Sequence, residues 1–200
     1  YGLTETSPVV SLTDIGDFLP GTVGRPIPGI EVRIADPDAQ GVGELLVRGP
    51  IVMRGYYHNP EATAEAISPD GWLRTGHLAS LGPAGHLTIR GRKKALIVNR
   101  EGKNIYPEEV EQAIARSPLI HDVIVIGYHD AGDVGEKVGV IVVPEPDAVK
   151  TACGGTAPAW EETVSLLRKT VGERCADLAA YKHPREIEIL DELPKTASGK

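Results

Sequence analysis

The chain has 200 residues, of which 41% are hydrophobic and 24% charged, a composition typical of a globular protein with one large or two small domains. Its formal net charge is −7, so the molecule as a whole repels a polyanion, which argues against nucleic acid as a partner. No apolar run approaches the roughly 20 residues that cross a bilayer, and no signal peptide is visible, although the chain opens at Tyr1 and would not show a segment ahead of it. Cys153 and Cys175 lack metal-ligand spacing, which favours reduced thiols in a cytoplasmic protein, with a disulfide as the alternative.

Short strands joined by Gly- and Pro-rich turns are predicted along the first half of the chain. They fall at 29–36, 43–49 and 85–91, the first with alternating apolar residues. A helix is predicted over 59–67, because Asn59 can cap it and Pro60 suits its first position. Many short strands with one brief helix indicate a small β-barrel-like unit or a sandwich.

The second half of the chain changes pattern and predicts a compact α+β unit. A helix is expected at 106–117, and β-branched strands are expected at 122–130 and 137–145. "TACGGTAPA" (151–159) is predicted to be a loop, followed by a long helix and a last strand that begins in "PREIEIL". The domains are therefore predicted at 1–92 and 93–200.

Positive charge is concentrated where these two halves meet. The cations are Arg90, Arg92, Lys93, Lys94, Arg100 and Lys103. The cluster could be a nucleic-acid patch, a solvated loop or a site that handles phosphate. Acidic residues follow at once (Glu108, Glu109 and Glu111), which disfavours the first interpretation.

Four motifs occur in an order that chance rarely produces. They are "YGLTETSP" at 1–8, "GWLRTGH" at 71–77, "GRKK" at 91–94 and "LPKTASGK" at 193–200. In number, order and spacing they resemble the adenylate-forming superfamily, which includes acyl-CoA synthetases, luciferases and the adenylation domains of peptide synthetases. The resemblance covers the C-terminal part of such an enzyme: the end of the large domain, then a small mobile domain. A 200-residue piece of this kind is expected to be inactive alone.

The resemblance implies a two-step ligase that uses ATP, Mg²⁺ and CoA. A carboxylate is joined to the α-phosphate of ATP with loss of pyrophosphate, and a thiol then attacks the acyl-adenylate. Both reactants of the first step are anions, so cations and hydrogen-bond donors must converge on the phosphate. The wording "GKNIYPEEVE" is similar to synthetases of longer fatty acids, so the expected substrate is a medium- or long-chain fatty acid.

By this resemblance, the first motif contains residues that bind the nucleotide and the metal ion. Tyr1, with Gly2 beside it, would stack on adenine; an aromatic core residue is the alternative. Thr4 would hydrogen-bond the α-phosphate, and Glu5 would hold Mg²⁺, a cation that prefers carboxylate oxygen, with a solvated Glu5 as the alternative. Thr4 and Glu5 are counted with the catalytic residues.

The later motifs supply the ribose contact, the hinge and the catalytic lysine. Arg92 would bond the ribose hydroxyls, Lys94 would be the hinge between the domains, and Lys93 is expected to be a solvated neighbour. Gly102 would let the backbone approach the pantetheine arm, with a simple turn as the alternative. Lys200 matches the lysine that reaches the carboxylate and the α-phosphate oxygen, although out of context it would be an exposed tail.

The chain departs from the family pattern around the nucleotide. His77 stands where the family has an Asp that accepts from both ribose hydroxyls, and a neutral imidazole offers one acceptor only. The expected cost is about 1.5–3 kcal/mol, or about one to two powers of ten in affinity for the nucleotide. "GPAG" (82–85) replaces an acidic run, and Ala95 stands where acyl-CoA synthetases often have Asp.

Two alternatives follow from these departures and from the motifs themselves. The acyl acceptor could be a phosphopantetheine arm on a carrier protein instead of CoA, as in fatty acyl-AMP ligases. The protein could also be a weakened or inactive relative that binds an acyl group or a nucleotide without turnover.

Overall fold

The computed structural model describes residues 1–130, 132 and 134–193. The chain divides into two compact units, Tyr1–Lys94 and Ala95–Lys200. In the part of the chain described, no helix combines the length and the apolarity needed to pass through a membrane. Each unit has its own buried apolar cluster.

The first unit is built on four consecutive strands that pair in chain order. Its six strands are β1 (Ser11–Leu12), β2 (Arg25–Pro26), β3 (Glu31–Ala35), β4 (Gly43–Arg48), β5 (Leu73–Leu81) and β6 (Leu87–Arg92). Strands β3 to β6 form an antiparallel sheet in the order β3-β4-β5-β6, and β1 pairs with β2 separately. The buried core beneath the sheet includes Leu45, Val47, Ala79 and Leu87.

The predicted barrel is wrong for the described residues of this unit. Closing a barrel requires the first and last strands to hydrogen-bond each other, whereas β3 and β6 are the two edges of the four-stranded sheet. Every strand of this sheet pairs with its neighbour in sequence, which gives an open meander.

Strand β5 was not predicted from the sequence. It runs from Leu73 to Leu81 through a Thr-Gly-His stretch that breaks the alternation of apolar residues. The strand forms because neighbours on both sides supply its backbone partners, and the register shifts once against β4 and once against β6. The shift against β4 includes His77, and the shift against β6 follows between Leu78 and Ala79. His77 is the only residue of this strand that the sequence motifs named as a ligand contact.

The predicted helix of this unit is confirmed as α1 (Pro60–Ala66). The Asn59 side chain accepts a hydrogen bond from the amide of Ala62 at 3.1 Å, and Pro60 occupies the first turn. Such a cap stabilises a helix end by about 1 kcal/mol.

The second unit places helices against a three-stranded mixed sheet, so the predicted α+β class is confirmed. Its elements are β7 (Ile97–Val98), β8 (Asn104–Ile105), α2 (Pro107–Ile114), β9 (Ile120–Tyr128), β10 (Lys137–Pro144), α3 (Pro146–Ala152), α4 (Trp160–Cys175) and β11 (Glu186–Ile189). The sheet order is β11-β10-β9, with β10 antiparallel to β9 and parallel to β11. Helix α2 packs against β9 and α4, which brings Ile114 and Leu167 into one buried cluster.

Helix α3 was also missed, and the predicted loop at 151–159 is wrong in its first two residues. Pro146 starts the helix at a position where its missing N–H costs nothing. The helix then runs through Ala152 and ends before Gly154 and Gly155, both with positive φ. The amide of Gly155 bonds the Lys150 carbonyl at 2.9 Å, a usual way to end a helix.

Candidate functional site

The first motif forms a loop whose backbone is held by the strand region that follows. The carbonyl oxygen of Tyr1 accepts from the amide of Val10 at 2.9 Å, and a 3-10 turn covers Thr4–Thr6. A Cβ on Gly2 would lie 1.5 Å from the carbonyl oxygen of Pro8. Packing inside the loop therefore requires glycine at position 2.

A Thr-Gly-His turn in β5 is fixed by side-chain and backbone bonds to β4. Thr75 Oγ1 donates to the carbonyl of Leu45 at 2.8 Å and accepts from the amide of His77 at 3.1 Å. Gly76 lies between them with φ of 70°, a conformation that favours glycine. His77 is the Cα partner of Arg92 across the β5–β6 ladder.

The structure brings Tyr1 and His77 into direct contact. The Tyr1 hydroxyl lies 2.7 Å from His77 Nδ1, and the two rings meet edge to face with centroids 5.5 Å apart. Burial raises the pKa of the Tyr1 phenol to about 12, and a hydrogen bond with the Thr75 side chain lowers it to a smaller extent. The phenol is therefore protonated at neutral pH and donates to Nδ1 when the neutral imidazole carries its proton on Nε2.

Three residues that the sequence assigned to one nucleotide thus lie together. Tyr1 bonds His77, and His77 stands opposite Arg92 on the next strand. Arg92 is exposed and is the last residue of β6. Lys94 follows in an exposed 3-10 turn at Lys93–Ala95.

Lys93 is exposed, and it also makes an ion pair that the sequence did not predict. Its Nζ lies 2.8 Å from Oε2 of Glu44, a β4 residue whose side chain is only 9% exposed. The other carboxylate oxygen of Glu44 accepts from the amide of Gly76 at 3.3 Å. The pair has a plain cause: an almost buried carboxylate is costly without a charged or hydrogen-bonding partner, and Lys93 is within reach.

Glu5 is tied to a second loop. Its Oε1 accepts from the Tyr56 hydroxyl at 3.1 Å, and its backbone carbonyl accepts from the amide of Met53 at 2.8 Å. Burial, and after it the bond to the Glu5 carboxylate, raises the pKa of the Tyr56 phenol. The phenol therefore stays a donor that orients one oxygen of Glu5.

Gly102 belongs to the second unit and sits in a tight turn between β7 and β8. It has φ of 74°, and its amide bonds the Asn99 carbonyl at 2.9 Å, while Asn99 Oδ1 accepts from the amides of Glu101 and Lys103 at 3.0 and 2.9 Å. A Cβ there would meet nothing within 4 Å. The turn conformation alone accounts for glycine at this position.

A tyrosine ring with two lysines, each paired with a carboxylate, lies beside this turn. Lys103 Nζ is 4.8 Å from the centroid of the Tyr181 ring, and Lys182 Nζ is 5.8 Å from it. Lys182 also bonds both carboxylate oxygens of Glu109, at 2.7 and 2.6 Å. We call Lys103, Tyr181 and Lys182 the lysine–tyrosine face.

The remaining predictions fall outside these contacts. Lys200 lies outside the described residues. Among the residues that are described, no three His, Cys, Asp or Glu side chains gather in a way that could hold a metal ion.

Three residues of the site were missed from the sequence. Glu44 accepts from the Gly76 amide, and Thr75 accepts from the His77 amide. Tyr56 donates to the Glu5 carboxylate. Glu44 left one signal, since it is an acidic residue inside the otherwise apolar strand "GELLV". Tyr56 left none, because Glu5 is 51 positions away, and the bond from Thr75 to Leu45, 30 positions away, was equally invisible.

Comparison with protein families identifies matches at both ends of the chain. A model described as "AMP-binding enzyme" matches residues 1–57, and one described as "AMP-binding enzyme C-terminal domain" matches residues 109–200.

Several curated proteins are similar to this chain over its whole length. A long-chain-fatty-acid–CoA ligase of Mycobacterium bovis is 39% identical over 198 residues, covering 99% of this chain and 29% of the relative. An indoleacetate–CoA ligase of Aromatoleum aromaticum is 39% identical over 207 residues, covering 100% and 37%. The crystal structure of O-succinylbenzoate coenzyme A synthetase from Bacillus subtilis with ATP and magnesium is similar with a TM-score of 0.75 and 31% identity, covering 100% of this chain and 39% of that one. The chain thus spans about a third of the length of the curated relatives it matches.

Proposed function

The chain belongs to the AMP-binding enzyme family, and from this premise we propose that the complete protein is an ATP-dependent acid–thiol ligase. It joins a carboxylic acid to AMP and then transfers the acyl group to the thiol of CoA. The observation that carries the proposal is the contact of Tyr1 with His77 and the register of His77 with Arg92. An aromatic ring, an imidazole and a guanidinium in one place suit the base and the ribose of a nucleotide.

Residues of the first unit contact different parts of the nucleotide. Tyr1 presents its ring to the adenine, Arg92 and His77 bind the ribose, and the exposed Thr4 hydroxyl reaches the α-phosphate. Lys200 bridges the carboxylate and an α-phosphate oxygen, which neutralises charge that builds up as the acyl-phosphate bond forms.

Glu5 fits a role as a magnesium ligand. Mg²⁺ keeps several waters and takes one or two carboxylates together with substrate phosphates, so a single oriented carboxylate suffices. The partly exposed Glu5 has one oxygen bonded by the Tyr56 hydroxyl, which holds the group in place. When bound, the ion would withdraw charge from the phosphates.

The acid is proposed to be a medium- or long-chain fatty acid. The Mycobacterium bovis relative is named for long-chain fatty acids, whereas the Aromatoleum aromaticum relative is named for indoleacetate, at the same 39% identity. Identity over these residues therefore does not separate the two chemistries. Aromatic acids belong in any test of the substrate.

The small unit is proposed to turn about Lys94 between the two steps, with Gly102 beside the pantetheine arm in the second. The proposal includes a cytoplasmic location. It is made for the complete protein, because the relatives are about three times as long as this chain.

The test is carboxylate-dependent exchange of pyrophosphate into ATP by the complete protein, with short, long and aromatic acids. We expect exchange with one class of fatty acids. We expect His77→Asp to lower the KM for ATP about 10- to 100-fold, because the carboxylate restores a charged acceptor for the ribose hydroxyls.

Other outcomes are equally informative. Exchange only in His77→Asp would mean that the histidine has switched adenylation off. If neither wild type nor His77→Asp exchanges pyrophosphate while both still bind an acid, the proposed ligase activity is contradicted. The result would support a relative that binds without turnover.

CoA is the proposed acceptor because of the lysine–tyrosine face. Lys103 and Lys182 can exchange their carboxylate partners, Glu101 and Glu109, for the phosphates of a phosphorylated nucleotide, which CoA has and a carrier-bound phosphopantetheine lacks. We expect Lys103→Ala to raise the KM for CoA about fivefold, a size typical of one exposed charge contact, and to leave transfer to a carrier protein unchanged. Lys150→Ala is the control, since Lys150 is an exposed lysine on α3 in the same unit. An equal effect on both acceptors would contradict the assignment.

A further inference from the structure

We propose that Glu44 is a positioning residue that couples the turn carrying His77 to Lys93, the residue directly ahead of the proposed hinge. The inference rests on the proposed function, because it assigns Glu44 to the nucleotide site of that function. None of the four sequence motifs contains this residue.

One side chain reaches two other strands. Glu44 lies on β4; its Oε1 is 3.3 Å from the Gly76 amide in β5, and its Oε2 is 2.8 Å from Nζ of Lys93, just after β6. The two oxygens therefore hold two segments that are separated by 17 residues of sequence, from 76 to 93. Both partners are donors, which is the chemistry that an ionised carboxylate requires.

Burial makes the Glu44 carboxylate depend on its protein partners. The Glu44 side chain is 9% exposed, whereas that of Lys93 is 56% exposed. The carboxylate thus gains little from water and depends on its two protein partners. If Lys93 is removed, the carboxylate loses its charged partner and turns outward to water, which weakens its hold on Gly76.

The two partners of Glu44 are the sequence neighbours of His77 and Arg92, which face each other across the β5–β6 ladder. Gly76 precedes His77, Lys93 follows Arg92, and His77 and Arg92 are Cα partners. Glu44 therefore holds the Gly76 amide on one side of this pair and the Lys93 ammonium on the other. With Lys93 held, a torsional change at Lys94 leaves Arg92 in place, so the ribose contacts persist through the proposed motion.

Hydrogen–deuterium exchange of the complete protein tests the coupling without any need for turnover. We expect Lys93→Met to speed amide exchange at Gly76 and His77 at least fivefold, although position 93 is remote in sequence. Glu44→Gln should speed it as well, and Lys93→Arg, which keeps the cation, should stay within twofold of wild type.

The control is Glu31→Gln in the same sheet. Glu31 pairs with Arg48 at 2.7 Å, and that pair is exposed, with side chains at 57% and 39%. This variant should leave exchange at Gly76 and His77 unchanged. Exchange within twofold of wild type in Lys93→Met would overturn the inference.

Kinetics separates positioning from a purely structural ion pair. In pyrophosphate exchange, Lys93→Met should raise the KM for ATP at least fivefold, leave the KM for the acid within twofold, and be rescued by Lys93→Arg. A structural pair would lower only the amount of active protein, and an unchanged KM for ATP would overturn the positioning role. If wild type shows no exchange reaction, the proposed function fails, while the deuterium experiment still decides whether Glu44 couples the two segments.

Discussion

At the scale of single residues, the contact between Tyr1 and His77 defines what the unusual histidine does. The Tyr1 hydroxyl lies 2.7 Å from Nδ1, which is the one acceptor of the imidazole when its proton is on Nε2. A carboxylate has two oxygens and can accept from a phenol and from a ligand at once. The cost expected for histidine at this position therefore has a structural basis in the tyrosine beside it.

The buried phenol gives a direct spectroscopic prediction. We expect Tyr1→Phe to remove one tyrosinate that titrates near pH 12, because burial raises this pKa to about 12 from its usual 10. Between pH 10 and 12 the unfolded chain has lost this proton and the folded chain has kept it, so the folded state loses stability as pH rises through this window. The measurement is the absorbance of tyrosinate across pH 9 to 13 in the complete protein and the variant.

One result of the Tyr1→Phe titration would contradict the contact between Tyr1 and His77. If the tyrosine removed by the substitution titrates near pH 10, Tyr1 is exposed and the contact with His77 does not form in solution. Tyr57→Phe is the control, since Tyr57 is 91% exposed and its loss should leave the step near pH 12 in place.

At the scale of elements, β5 carries the site because its neighbours hold an irregular stretch in place. The stretch has little strand propensity of its own, with glycine at its centre. Thr75 bonds β4 and the amide of His77, and Glu44 bonds Gly76 between them. The bulge next to this turn then sets the residue that faces Arg92.

Thr75→Val tests whether this turn depends on its hydroxyl. The substitution keeps the shape and removes two hydrogen bonds, each worth about 1 kcal/mol. We expect amide exchange over β5 to speed at least fivefold and the KM for ATP to rise. Thr88→Val in β6 is the matched control, because Thr88 is also half-buried in the same sheet and faces Ser80 across the ladder. Equal effects of the two substitutions would show that the hydroxyl of Thr75 has no special role.

At the scale of the whole molecule, the chain consists of two units with separate cores. The core of the first is centred on β4 to β6, and that of the second lies between the β9–β11 sheet and helices α2 and α4. The division falls between Lys94 and Ala95. Lys94 is exposed in a short 3-10 turn, a place where backbone torsions can change without disturbing either core.

Lys94→Pro tests the hinge. Proline fixes φ near −65°, so we expect thioester formation to fall at least tenfold while pyrophosphate exchange persists, or the reverse, according to the state that proline favours. Lys94→Ala keeps the torsions free and should leave both half-reactions within about threefold of wild type. The two half-reactions are measured separately, with acyl-adenylate supplied for the second. Equal loss of both in the proline variant would argue against a hinge at this residue.

The sequence by itself determined the family, the α+β class and the helices and strands that have strong local signals. Asn59 and Pro60 are enough to start α1, and β-branched runs are enough to specify β9 and β10, because these preferences act within a few residues. It also named Tyr1, His77 and Arg92 for one nucleotide, an assignment that stays a prediction. It could not specify β5 or the open sheet, since these depend on which strands meet. Helix α3 was missed although Pro146 and the two glycines after it are local signals for its start and end.

Only the tertiary structure decided how the site is held together. The hydroxyl of Tyr1 meets Nδ1 of His77 across 76 positions of sequence, and the carboxylate of Glu44 meets Lys93 across 49. The ion pair of Lys93 could not be predicted, because nothing local in the sequence shows that a nearly buried carboxylate lies within 3 Å of it. Local preferences fix elements, whereas burial and long-range register choose the partners of each polar group, and so they decide which residues support the site.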